Sequence, residues 1–213
     1  MTDKLSLFNG ALTRHIGNDK LADLSENRPE RHALDLVWDD GAVDTCLQQG
    51  QFDFAARTVK IEFEPSVTPP FGHTYAFERP SDLIRIMAVC SDEFLRCPLM
   101  DYVYEGAYWY ASIEAIYVRF VSNDASYGGD FSLWPPNFTR YVECHLAHEA
   151  CQRIKGMDPK KREQIAVDLT RLLRESKATD AMENPVTFPP RGTWANSRGS
   201  RSGDRGKRNQ LIG

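Results

Sequence analysis

The hydrophobic period of the chain changes twice, and the two changes bound what it can fold into. Up to about residue 56, apolar side chains recur three or four apart: Leu5, Phe8, Leu12 and Ile16, then Ala33, Leu34, Val37, Trp38, Ala42, Cys46 and Leu47. That spacing lines one face of a helix. From Arg57 the period drops to two, with Val59, Ile61 and Phe63 alternating with Lys60, Glu62 and Glu64 as in a half-buried strand. At Trp134 helical spacing returns.

Local signals set the expected element ends. The first helix runs over 5–16 and stops at Gly17, and the second runs from Pro29 to Gly50, roughly 30 Å at ~1.5 Å per residue. Pro65, Pro69, Pro70 and Gly72 end the first strand. Further strands are expected at Tyr75–Phe77, Leu83–Cys90, Tyr102–Tyr104, Tyr108–Ala111 and Ile116–Val121. No helical stretch separates them, so an antiparallel sheet or a small sandwich is expected, not a parallel βαβ sheet. Trp134-Pro135-Pro136-Asn137 opens a third helix to Lys155, and Asp158 with Pro159 starts a fourth that reaches about Met182. The expected fold is α+β: a four-helix bundle made of residues 1–56 and 134–183, an inserted antiparallel β section at 57–133 that projects from it, and an extended arm at 184–213.

The arm differs from the rest in composition. Arg191, Arg198, Arg201, Arg205, Lys207 and Arg208 face one acid, Asp204, a net +5, whereas the whole chain is −4, which leaves about −9 for the body. Three prolines and five glycines give it little apolar surface to bury alone. Phe188 and Trp194 nevertheless sit among the charges. The combination predicts an arm that docks on a partner, with the two aromatics as apolar anchors. The body, in a chain 41% hydrophobic, has the material for a core. No apolar run approaches the ~18 residues of a membrane span. The first residues lack a secretory pattern. Five scattered cysteines, an odd number, suggest reduced thiols.

One helix face could carry chemistry: Cys144, His148 and Cys151 at i, i+4 and i+7, with His145 and Glu149 beside them. Zinc takes such ligands, but three from one helix approach tetrahedral geometry poorly without a fourth from elsewhere. The order His-x-x-His-Glu is also not that of the zinc proteases. Against it stands a plain core role for both cysteines. Tyr127-Gly128-Gly129-Asp130 lacks the Lys-Ser/Thr of a phosphate loop, and Asp39 with Asp40 or Asp23 with Glu26 has no neighbour that would tune an acid–base pair. The sequence therefore assigns no catalytic, metal or cofactor-binding residue and predicts no enzyme.

In order along the chain, several short motifs resemble the adaptor proteins of tailed bacteriophages, the tail tubular protein A and head-completion family. They begin with Asn9-Gly10-Ala11-Leu12, Gly17, Leu21 and Leu24. Cys46-Leu47, Gly50 and Asp53-Phe54-Ala55 follow, where the family's pattern has Gly-x-Trp-Asn-Phe-Ala; here Phe52 and Asp53 replace the Trp and the Asn. Next come Tyr75-Ala76-Phe77, Pro80 to Ile86, Tyr117-Val118, and Trp134-Pro135-Pro136-x-Phe138 leading to Leu146-Ala147. Arg191-Gly192-Thr193-Trp194 is similar to a motif near the family's C-terminus.

The resemblance implies a structural virion protein at the neck, made in the host bacterial cytoplasm. It would form a dodecameric ring that docks on the portal protein, joins it to a nozzle or tail-tube protein, and leaves a channel through which double-stranded DNA passes without sequence-specific binding. It implies no activity, cofactor or membrane. The arm residues expected at the portal or subunit interface are Phe188, Arg191, Trp194, Arg198, Arg201, Arg205, Lys207 and Arg208. Two other functions compete: a nucleic-acid-binding protein acting through the basic tail, and a zinc enzyme built on Cys144, His148 and Cys151.

Overall fold

The computed structural model describes residues 3–154 and 158–183. Asp3 caps the first helix, α1 (Lys4–Gly10), through a reciprocal bond pair with Ser6, whose backbone N–H donates to Asp3 Oδ1 at 2.7 Å. The helix then loosens into a π-helical turn, Ala11–Ile16, which ends where Gly17 takes a left-handed φ of 80°. Two helices follow, α2 (Pro29–Asp39) and α3 (Ala42–Gln48), and a 3-10 turn at Asp53–Ala55 leads into the strands. After the strands, a 3-10 turn at Phe131–Leu133 precedes α4 (Pro136–Arg153) and α5 (Pro159–Glu183).

The six strands, β1 (Ala56–Glu62), β2 (Tyr75–Glu78), β3 (Leu83–Cys90), β4 (Tyr102–Glu105), β5 (Tyr108–Ala111) and β6 (Ala115–Ser122), lie close to the expected positions. They form two three-stranded antiparallel sheets, ordered β1-β6-β3 and β2-β5-β4. The alternation that revealed β1 has a direct consequence: Val59 and Ile61 stand opposite Val118 and Ile116 of β6. With Phe77 and Trp109 from the other sheet, these fill a core between the sheets.

The expected four-helix bundle is not formed. The long second helix breaks at Gly41, whose φ of 83° a helix cannot continue, and two shorter helices result. More decisively, α4 is not one stripe among four. Phe138, Tyr141, Val142, Cys144, Leu146, Ala147, Ala150 and Cys151 are all buried, so apolar residues cover most of its circumference. A helix apolar on all sides must be surrounded. The elements from α1 to α3 pack around it, and α5 adds Ile165 and Leu172 to the same core. This helical core is not sealed from the sheets, because Val121 of β6 belongs to it and Ile84 and Met87 of β3 pack against it. Through Ala181 the chain forms one compact unit.

Candidate functional site

The sequence-predicted interface residues, Phe188, Arg191, Trp194, Arg198, Arg201, Arg205, Lys207 and Arg208, lie outside the described residues. The other expected location, the Cys144 face, is described in full. Cys144 and Cys151 are 0% and 1% exposed, and the Cys144 thiol donates to the Ile165 carbonyl at 3.6 Å, pinning α5 to α4. Burial pushes this thiol's pKa up to about 12, which keeps it protonated. His148 instead lies half-buried with its Nδ1 3.0 Å from Glu149 Oε1. Among the described residues no three His, Cys, Asp or Glu side chains come together to hold a metal ion.

The motif residues quoted above gather at joints. Asn9 bonds Leu21 both ways, accepting its N–H at 2.7 Å and donating to its carbonyl at 3.1 Å, and so folds the segment after the π-turn back on α1. Phe52, 1% exposed, stacks against Phe54 and Phe138 with centroids 5.6 and 4.8 Å away. Trp134 meets Phe138 edge-on at 5.0 Å and donates its indole N–H to the Gly128 carbonyl at 2.9 Å. Asp53 links three elements: its backbone N–H donates to Asp180 of α5, and its carboxylate takes Arg119 of β6 at 2.6 Å.

Asp82 plays the equivalent part within the first sheet. Its Oδ2 accepts from Arg57 of β1 at 2.7 Å and from the buried Ser122 hydroxyl of β6 at 2.5 Å. Burial acts to raise the Asp82 pKa, but the bonds from Ser122 and Arg57 outweigh it and hold the carboxyl below its usual range. Beside it a groove of about 530 Å³ opens along β1, lined by Val59 and Ile61 and by Glu62, Glu64 and Glu78.

A buried acid completes the set. Glu143 sits 4% exposed on α4 and pairs with Arg14 of the π-turn at 2.7 Å. Burial raises its pKa, and Arg14 pulls it part of the way back. Gly10 makes the approach possible, since a Cβ there would overlap the Glu143 carboxylate. One signal for Glu143 was available in the sequence: it is the lone acid between Phe138 and Leu146, flanked by Val142 and Cys144. Asp53, Asp82 and the groove had none, because their partners lie 25 to 127 residues away in the chain. Compared with known proteins, the chain matches no family model, and a search of curated proteins finds no match.

Proposed function

We propose that the chain is a structural virion protein, a head-to-tail connector whose copies form a ring, dock on a portal protein and leave a channel for DNA. One observation carries the reading. The residues through which the sequence resembles the adaptor family, Asn9, Gly10, Phe52, Asp53 and Trp134 among them, are joint residues that fix helices to helices and helices to sheets. What the resemblance carries is therefore an architecture, not a set of reacting groups. The charge distribution agrees with it: an acidic body and a +5 arm suit docking between like subunits and repel DNA from any acidic lining.

The test is capture on isolated portal rings, read by native mass measurement. The full chain should add as a ring of copies, and a chain ending at Asn184 should not. Trp194→Ala should weaken capture more than loss of any single arginine, because one rim charge is worth under ~1 kcal/mol. Unchanged capture by the shortened chain refutes the arm's role. Loss of DNA retention without loss of capture would favour the nucleic-acid-binding function instead.

A further inference from the structure

We propose that the groove along β1 is the seat of the basic arm, residues 184–213, of a second copy of the chain. The inference rests on the ring reading above and adds where the arm binds. Three observations carry it. First, β1 is an edge strand that pairs with β6 in unbroken register over all seven residues, without the bulges that interrupt β3. Among the described residues its outer backbone edge meets no donor or acceptor. Such an edge accepts an extended segment by strand addition.

Second, the groove lining combines apolar side chains with acids, of which Glu62 is already paired with Lys60. Val59 and Ile61, partly buried against the core between the sheets, contribute to its lining. The Glu78 carboxylate has no partner among the described residues, and the Glu64 carboxylate bonds only the neighbouring Ser66, while the Glu64 backbone N–H just past β1 donates to the Ala76 carbonyl of β2. Arg57 and Arg79, the cations of the lining, are taken up by Asp82 and by Tyr104 with the Leu83 carbonyl.

Third, the arm has the complementary pattern. Val186 and Phe188 alternate around Thr187, the spacing that sends two apolar side chains to one face, and Arg191 follows within reach of the acids. Thirty residues at ~3.3 Å each reach ~100 Å, beyond one subunit. An arm given to one neighbour and a groove filled by the other is a head-to-tail contact, the kind that builds a ring when its rotation closes.

The test uses the full chain carrying Ser81→p-benzoylphenylalanine, an exposed position on the groove wall. Ordinary and nitrogen-15 copies are mixed, irradiated and digested. Cross-links should join the groove to residues 184–213 in mixed-isotope pairs. Glu64→Lys with Glu78→Lys should cut their yield about tenfold, and Arg191→Glu in the same chain should restore part of it. Cross-links within one copy, to any other segment, or none at all would overturn the proposal, as would a yield unaffected by the two reversals. If portal rings still capture the chain in any of those cases, the connector reading survives and only this seat is lost.

Discussion

Removing Arg14 should reveal the cost of burying Glu143, and the cost should depend on pH. In Arg14→Ala the carboxylate on α4, 4% exposed in the parent, loses the cation 2.7 Å away. Breaking a fully buried pair costs about 3–5 kcal/mol. The Arg14 side chain is 56% exposed, so water screens part of the interaction, and about 1–2 kcal/mol is the expected loss at pH 8. The sign follows from the titration. Burial raises the folded-state pKa of Glu143 above its ordinary 4.5, so the protonated form favours the folded chain. That contribution is complete below 4.5 and is lost as pH rises through the folded pKa. The variant should therefore match the parent near pH 4 and fall behind it progressively towards pH 8. Urea unfolding at four pH values, with Glu143→Gln as the second arm of a double-mutant cycle, measures this. In a chain already carrying Glu143→Gln, Arg14→Ala should cost almost nothing. A penalty equal at pH 4 and pH 8, or equal with and without Glu143→Gln, would refute the argument.

Three other outcomes are expected. Gly10→Ala should destabilise by about 1–3 kcal/mol through overlap with the Glu143 carboxylate, and Glu143→Ala in the same chain should recover part of it, measured by the same unfolding curves. Phe138→Ala should cost about 3–5 kcal/mol and Phe138→Leu about 1–2, because the latter loses the ring contacts to Phe52, Phe54 and Trp134 but little volume; a Phe138→Leu loss near zero would deny the aromatic cluster any part. In the native protein one thiol of five should react quickly with a thiol reagent, the exposed Cys97, and all five should react in denaturant; a second fast thiol would contradict the core placement of Cys46, Cys90, Cys144 and Cys151.

The strands were legible in the sequence and the helical packing was not, for a physical reason. A strand declares itself within its own residues, because alternation such as Val59, Ile61 and Phe63 against Lys60, Glu62 and Glu64 fixes both element and face. Helix packing depends on what lies opposite. The stripe from Ala33 to Leu47 continues through Gly41 as if nothing happened, since a change of helix axis leaves the spacing of apolar residues almost unaltered. The bundle expectation failed for a related reason. It treated α4 as one striped helix, although Val142, Cys144 and Leu146 together fit no single face. The candidate site was the least legible part. Arg14 and Glu143 are 129 residues apart, and the groove along β1 draws acids from Glu64 and Glu78 on either side of a loop. The arm, which the composition singled out, lies where no structure is described.

The π-turn at Ala11–Ile16 makes the first segment sensitive to its count of residues. The Gly17 N–H reaches back five residues to the Leu12 carbonyl, so the turn holds one residue more than an α-helical turn would. Deleting a single exposed residue there, Thr13 for instance, would let ordinary four-residue bonding resume with the flanking turns still in register, whereas one residue more would turn everything on one side by about 100° relative to the other. With Ile16 fixed in the core and Lys161 of α5 bonded to its carbonyl, the part left to rotate is α1, which would swing Leu7 and Phe8 off α4. Substitutions at Thr13, and even its removal, should therefore be tolerated better than an added residue. The stretch therefore has room for one residue fewer but not for one more, and homologous chains should show a one-residue gap here sooner than an insertion.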